Sequence, residues 1–275
     1  MRGALARSLV MLLGLSGCGA AHGAPAPWRR VVLVELFTSQ GCSSCPAADA
    51  FVRELPALGF GRDKVVPLTF HVDYWDGLGW KDPFARREFT ARQEWYARAT
   101  KLRSPDGEAG LTGLYTPQMI VDGSVHFSGR RREEALVEME RAAKSPPLFE
   151  LKPRVAVQGS SVEVAVELGD PPATPGEWRL RVALTARSAR TPVARGENAG
   201  EILEEAAVVK VLSDPVPVAK TGAKTGGTKA RVRLTKPDDV AWTDLDVVVF
   251  AQAETGAVGA AVQRAALGPP DGNGR

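Results

Sequence analysis

The sequence predicts an α/β domain over residues 31–146 followed by a mostly antiparallel β-sandwich over 147–268. Three observations favour this fold class. A strand–helix–strand pattern opens the first region, with Cys42 and Cys45 at the start of its helix. A Ser-Pro-Pro segment at 145–147 marks a boundary. Beyond it, short apolar or alternating runs are separated by turns rich in glycine, proline and aspartate.

The first strand, helix and second strand follow from side-chain periodicity. Residues 31–37 are β-branched and almost continuously apolar, which predicts a buried strand. Residues 47–58 place their apolar side chains on one side of a helix, and 65–72 is again an apolar run. A strand–helix–strand order of this kind predicts parallel pairing with a right-handed crossover.

The rest of the first domain is predicted as a helix, a hairpin and a helix. Residues 84–102 and 130–143 have helical spacing of apolar side chains. Between them, Asp122-Gly123 separates two short apolar runs, which is the strongest hairpin signal in the chain. In the second domain we expect strands over 148–157, 161–168, 178–186, 207–212, 229–234, 245–253 and 258–267.

The ends of the chain are expected to lie outside the folded domains. An apolar run over 9–15 follows two arginines and is about half the ~20 residues of a membrane-spanning helix, so 1–17 is predicted to be an export signal. The sequence Leu-Ser-Gly-Cys ending at Cys18 resembles a bacterial lipobox, which implies a lipid anchor on Cys18. Ordinary cleavage near Ala24 is the alternative. We expect 18–30 to be a tether and 269–275 a disordered tail.

Composition and cysteine count restrict the function classes. The 35 basic and 32 acidic residues nearly balance, and no basic cluster with aromatics appears, so we expect no nucleic-acid partner. There are three cysteines, and a lipidated Cys18 leaves Cys42 and Cys45 as the free thiols of an oxidising compartment. Closing a two-residue loop adds little stability, which favours chemistry over scaffolding. A zinc site is disfavoured because no second cysteine pair exists.

Four motifs carry a resemblance to a known family. The order strand, Cys-x-x-Cys, strand, helix, proline, hairpin, helix is the thioredoxin plan. Over residues 31–144 the chain resembles a bacterial family of secreted thioredoxin-like proteins labelled as a domain of unknown function. The motifs are Leu-Phe-Thr-Ser-Gln-Gly-Cys-Ser-Ser-Cys-Pro, Phe-His-Val-Asp-Tyr-Trp-Asp, Gly-Trp-Lys-Asp-Pro-Phe and Tyr-Thr-Pro-Gln-Met-Ile-Val-Asp-Gly. The resemblance implies a thioredoxin-like fold and a redox site but no substrate.

The expected chemistry is thiol–disulfide exchange without a cofactor. Cys42 lies just ahead of a predicted helix, whose free N–H groups and dipole stabilise a thiolate, so Cys42 is the expected nucleophile. Cys45, one turn further, is placed to resolve a mixed disulfide. The expected partners are protein or small-molecule thiols and disulfides, met on the periplasmic side of the cell envelope, or after secretion if Cys18 is not lipidated.

The resemblance also implies roles for three further residues. It implies a cis bond between Thr116 and Pro117, which turns the backbone of Thr116 toward Cys42. A trans proline that opens a strand is the alternative. Glu35, on the first strand, matches a buried proton acceptor for Cys45, although an ion pair or an exposed edge position fits equally well.

A loop after the second strand is a candidate substrate lip. It contains Asp73, Tyr74 and Trp75, preceded by His71 at the strand end. The alternatives are that His71 is structural and that the aromatic side chains pack the loop onto the domain. A turn with Glu197 and Asn198 is predicted to make a contact between domains rather than to act in catalysis.

Two other functions stay open at this point. Cys42 and Cys45, with His71, form an alternative ligand set for copper(I), because soft thiolates select that ion. Alternatively, the protein is a non-catalytic interaction protein of the envelope, and its β-sandwich binds a partner.

Overall fold

The structure is a computed structural model, which describes residues 28–99, 102–105, 113–169, 177–218 and 228–264. The predicted export signal over 1–17, the lipidation site Cys18 and the predicted tail over 269–275 lie outside these residues. Within them, no helix combines the length and apolar character that crossing a bilayer requires.

Within the described residues the secondary structure consists of three α-helices, two short 3₁₀ helices and twelve strands. The helices are α1 (Pro46–Glu54), α2 (Arg87–Ala99) and α3 (Arg132–Ala143), with 3₁₀ turns at Asp76–Leu78 and Trp242–Asp244. The first six strands are β1 (Val32–Thr38), β2 (Val65–His71), β3 (Gln118–Val121), β4 (Val125–Ser128), β5 (Leu151–Gln158) and β6 (Ser161–Leu168). The other six are β7 (Trp178–Pro192), β8 (Ile202–Leu212), β9 (Val216–Pro217), β10 (Thr228–Thr235), β11 (Leu245–Ala253) and β12 (Val258–Arg264).

The strand–helix–strand opening is present as predicted from the sequence. β1 and β2 pair in parallel from Val32↔Val65 to Thr38↔His71, and α1 connects them. On its other edge β1 pairs antiparallel with β3. β1 is buried along its whole length, because it has neighbours on both edges and helices or strands against both faces. This explains why its sequence is nearly continuous in apolar residues.

The predicted fold class, a thioredoxin-like α/β domain followed by a β-sandwich, is wrong. One mixed sheet of nine strands runs through both halves of the described chain in the order β12-β11-β7-β8-β2-β1-β3-β4, with β9 paired to β7. A second sheet has three strands in the order β10-β6-β5. Strands make up 42% and helices 19% of the structure, which is therefore mostly β.

The two halves of the sheet meet where β2 lies beside β8. Thr69 is in parallel register with Val208, and Thr69 Oγ1 donates a hydrogen bond to the carbonyl oxygen of Ala206 at 2.8 Å. The sequence prediction began β8 at 207 and ended β7 at 186, because polar residues flank both apolar runs. The longer β7 and β8 supply the strand that continues the sheet beyond β2.

The hydrophobic core also crosses between the halves. Phe37, Phe70 and Phe89 from the first half pack in one cluster with Val248 and Phe250 of β11, and all five are fully buried. Burying these large side chains together stabilises both halves at once. The core therefore supports the continuous sheet rather than two separate folding units.

The predicted hairpin at Asp122-Gly123 is confirmed. Both residues have positive φ (54° and 62°), and β3 and β4 pair across the turn. A Cβ added at Gly123 would overlap the carbonyl oxygen of Gly256.

We therefore expect Gly123→Ala to destabilise the protein by about 2–5 kcal/mol, from backbone strain plus steric overlap. Gly159→Ala is the matched control, since Gly159 has a similar φ of 57° but open space around it. The control should cost only about 1–2 kcal/mol. Urea unfolding measures both, and equal losses would contradict the steric part of the explanation.

Candidate functional site

Cys42 and Cys45 form a disulfide at the start of α1. The loop is tight, because the N–H of Cys45 donates to the carbonyl of Cys42 at 3.1 Å, and Pro46 then occupies the first helical position. The cysteines are 1% and 0% exposed. Both cysteines therefore lie at the amino end of a helix, and the small exposed area of the pair belongs to Cys42.

The backbone of Thr116 lies beside this disulfide. The carbonyl oxygen of Thr116 is 3.9 Å from Cys42 Sγ, and Ser44 Oγ is 3.3 Å from the same sulfur. The predicted cis bond between Thr116 and Pro117 is confirmed. Four of the residues expected at the site, Cys42, Cys45, Thr116 and Pro117, are thus neighbours.

Glu35 forms a buried ion pair, the alternative to its expected role as a proton acceptor. Arg92 Nε on α2 donates to Glu35 Oε1 at 2.6 Å, and the hydroxyl of Tyr96 donates to the other carboxylate oxygen. Gln252 of β11 completes the network, because it accepts from Arg92 at 3.0 Å and donates to the Tyr96 oxygen at 2.6 Å. Glu35 therefore joins β1, α2 and β11.

His71 is a buried, charged residue held by Asp82. His71 Nδ1 lies 2.7 Å from Asp82 Oδ2, and both side chains are fully buried. Burial alone would lower the pKa of His71, but the carboxylates of Asp82, Glu205 and Asp49 outweigh it and raise that pKa to about 9. At neutral pH the imidazole is therefore protonated and donates to Asp82.

The Asp82 carboxylate extends this network to the loop that precedes Cys42. The backbone N–H of Gln40 donates to Asp82 Oδ2 at 2.8 Å, and Gln40 Nε2 donates to Glu205 of β8 at 2.9 Å. Trp80 Nε1 donates to the side-chain oxygen of Gln40 at 3.1 Å. His71 and Trp80 thus support the disulfide loop from below, so the structural interpretation of His71 fits the geometry.

A buried acid, Asp49, lies one helical turn after Cys45. Burial raises the pKa of Asp49 to about 7, although His71 and a hydrogen bond from Thr38 Oγ1 (3.0 Å) oppose the shift. Its other carboxylate oxygen has no hydrogen-bond partner among the residues that the structure describes. A cavity of about 240 Å³ between α1 and β8 is lined by Asp49, Pro46 and Glu205 among others.

A comparison with models of protein families identifies the family of this chain. The model of a family described as "Protein of unknown function (DUF1223)" matches residues 33–252, which include the disulfide, His71, Asp82 and Glu205. The chain belongs to this family. No curated protein matches its sequence.

Two solved structures are similar to this DUF1223 chain. Protein AGR_C_4864 from Agrobacterium tumefaciens is 27% identical with a TM-score of 0.62, over 87% of this chain and 96% of that one. HBP35 of Porphyromonas gingivalis is 12% identical with a TM-score of 0.65, over 91% of this chain and 80% of that one. The second likeness concerns the fold alone.

The aromatic loop of the DUF1223 chain borders the disulfide loop. Trp75 packs against Gly41, because a Cβ added there would lie 3.2 Å from the Cβ of Trp75. Tyr74 is 38% exposed and donates to Gln93 Oε1 at 3.2 Å, while the backbone N–H of Asp73 donates to Thr90 Oγ1 at 3.1 Å. The loop is therefore anchored on α2, with Trp75 half-buried and Tyr74 partly open to solvent.

A turn between β7 and β8 also contacts the disulfide loop. Asn198 Nδ2 donates to the carbonyls of Gln40 (2.8 Å) and Cys42 (3.1 Å), and the N–H of Ser43 donates to Glu197 Oε2 at 2.9 Å. The sequence predicted a contact between the two halves for this turn. In the structure that contact is made with the disulfide loop itself.

The alternative copper site is not assembled. Cys42 and Cys45 are bonded to each other, and His71 Nδ1 is engaged by Asp82. In the part of the chain that the structure describes, no three His, Cys, Asp or Glu side chains form a group able to hold a metal ion. The cysteine pair and His71 are therefore not brought together as ligands.

Sequence reasoning missed Asp49, Arg92 and Glu205 as members of these networks. Asp49 had a local signal, because it lies on the same helical face as the buried Ala48 and Val52, where a charged residue is unusual. Arg92 lies within the predicted helix over 84–102, and nothing in that pattern marks it as a buried cation. Glu205 had no signal, since its partners come from β2 and from the loop before Cys42.

Proposed function

We propose that this chain is a thiol–disulfide oxidoreductase of the bacterial cell envelope that cycles Cys42 and Cys45 between disulfide and dithiol. One observation carries the proposal. Two cysteines separated by two residues form a disulfide at the amino end of a helix, with the Thr116 carbonyl 3.9 Å from Cys42 Sγ. The basic start and apolar run over 9–15 support export, and Cys18 supports a lipid anchor.

The exchange transfers two electrons between a substrate dithiol and the disulfide of the protein. A substrate thiolate attacks Cys42 Sγ, the Cys42–Cys45 bond breaks, and the electron pair leaves on Cys45. The second substrate thiolate then attacks its partner sulfur in the mixed disulfide, and Cys42 leaves as a thiolate. The substrate is oxidised to a disulfide and the protein is reduced, and the reverse sequence reduces a substrate disulfide.

Asp49 is the group we propose for proton transfer with Cys45, in place of the ion-paired Glu35. A carboxyl with a pKa of about 7 can give up or accept a proton near neutral pH. Its unpartnered oxygen and the adjacent cavity allow a water molecule to connect it to solvent. His71 and Asp82 hold the neighbouring loop in place and carry compensating charges.

The test is turnover of the purified protein with dithiothreitol and glutathione disulfide, with the cysteine redox state followed by mass spectrometry. Cys42→Ser should reduce turnover to the rate without protein, because the nucleophile is lost. Cys45→Ser should accumulate glutathione bound to Cys42, since the resolving thiol is absent. Ser43→Ala is the control and should retain turnover. Full activity in Cys42→Ser, or a disulfide that dithiothreitol leaves intact, would contradict the proposal.

A further inference from the structure

The turn between β7 and β8 brings a negative charge to the disulfide loop. The carboxylate of Glu197 accepts a hydrogen bond from the backbone N–H of Ser43, the residue that follows Cys42. Hydrogen bonds from the Ser43 side chain and from this N–H lower the pKa of Glu197, so the side chain is ionised at neutral pH. Glu197 is exposed, and it reaches the loop from a segment far away in the sequence.

This position matters because Cys42 lies just ahead of α1, where the positive end of the helix dipole and the free N–H groups of the first turn favour a thiolate. The ionised Glu197 brings a negative charge to the residue next to Cys42 and opposes that effect. The carboxylate also repels that thiolate directly, since two like charges near each other disfavour the ionised form. Both effects act against ionisation of Cys42.

We propose that Glu197 is a positioning residue that disfavours the thiolate form of Cys42 and so favours the disulfide over the dithiol. The inference rests on the proposed redox function and adds a direction to it. A pair whose reduced form is disfavoured transfers its electrons readily, so it acts as a reductant of substrate disulfides. An upstream dithiol must then restore the reduced pair, with two electrons and two protons in each cycle.

Other charged groups lie behind the loop and do not depend on Glu197. These groups are coupled to one another below Gln40 and Cys45. They are Asp49 of α1, His71 of β2, Asp82 of the segment between β2 and α2, and Glu205 of β8. They are the same in the wild type and in a Glu197 variant. A comparison of the two proteins therefore isolates the charge on the turn.

Asn198 makes that comparison possible, because it holds the turn without a charge. Its side-chain amide is buried and donates to the carbonyls of Gln40 and Cys42. The turn should therefore keep its place when Glu197 becomes neutral. In Glu197→Gln the side-chain oxygen can still accept the N–H of Ser43, so the substitution removes the charge and keeps the bond.

The experiment measures alkylation of Cys42 by iodoacetamide as a function of pH in the Cys45→Ser background. Glu197→Gln should raise the rate at pH 6 about two- to fivefold, the effect of one exposed charge near a helix N-terminus. In the protein with both cysteines, the equilibrium with glutathione should shift toward the dithiol. Both differences should shrink in 1 M NaCl, because salt screens an exposed charge.

Glu201→Gln is the control, because Glu201 is also exposed and lies four residues after Glu197. It should leave the alkylation profile and the glutathione equilibrium unchanged. If dithiothreitol reduces the wild-type disulfide but Glu197→Gln behaves as the wild type does, only the inference about Glu197 is overturned. A wild-type disulfide that dithiothreitol cannot reduce overturns the proposed function, and the inference with it.

Discussion

Replacing Arg92 by methionine is expected to destabilise the protein by about 3–5 kcal/mol, because it leaves the Glu35 carboxylate buried without a cation. Arg92 is 5% exposed and its guanidinium lies over the rings of Phe70, Tyr96 and Phe250 at 5.2–5.5 Å. Methionine can fill much of this apolar space, but it cannot donate to Glu35 or Gln252. The loss of stability therefore comes mainly from an uncompensated charge.

Urea unfolding measures this effect, and two further variants separate its causes. The double variant Glu35→Gln with Arg92→Met removes both charges and should recover part of the lost stability. Arg87→Met is the surface control, because Arg87 is 65% exposed in its pair with Glu94 and such pairs contribute about 0–1 kcal/mol. If Arg92→Met cost no more than Arg87→Met, the buried network would not stabilise the fold.

The free energy of unfolding is expected to fall as the pH rises from 6.5 to about 9. The pKa of His71 is raised to about 9 in the folded protein, against 6.5 for the unfolded chain. The folded state therefore holds a proton that the unfolded state has released, and stability decreases with pH. The slope is about 1.4 kcal/mol per pH unit for one proton, or about 3 kcal/mol over the whole interval.

Chemical unfolding of the oxidised protein at several pH values between 6.5 and 9.5 measures this slope. His71→Gln should flatten it, whereas His126→Gln should keep it, because burial lowers the pKa of His126 and that group is neutral throughout the interval. The raised pKa of Asp49 contributes at lower pH, where the free energy of unfolding falls as the pH rises from about 3.8 to about 7. An unchanged slope in His71→Gln would show that the imidazole is not charged in the folded protein.

The local elements of this protein could be predicted from its sequence because their signals lie within short segments. The apolar run of β1, the helical spacing after Cys45 and the Asp122-Gly123 turn each fix a few neighbouring backbone angles. The cysteine pair was found from spacing and count, and the cis bond before Pro117 from a family resemblance. None of these required knowledge of distant partners.

The continuous sheet could not be predicted because its deciding contact joins residues far apart in the sequence. The pairing of Thr69 with Val208 leaves no periodic signal in either strand. The sequence likewise does not show which of two carboxylates, Glu35 or Asp49, is the candidate for proton transfer. Both carboxylates are buried, and the difference between them is that Arg92 reaches only Glu35. Which acid pairs with Arg92 depends on helix placement, which local patterns do not encode.

The junction of β2 with β8 has a consequence for fragments of this protein. Truncation at the Ser-Pro-Pro segment would remove β8 and leave β2 as an open edge with unpaired N–H and C=O groups, a template for aggregation. It would also strip Phe37 and Phe70 of their packing against β11 and remove Asn198 from the cysteine loop. Recombinant work on Cys42 and Cys45 therefore requires the chain to continue through β12.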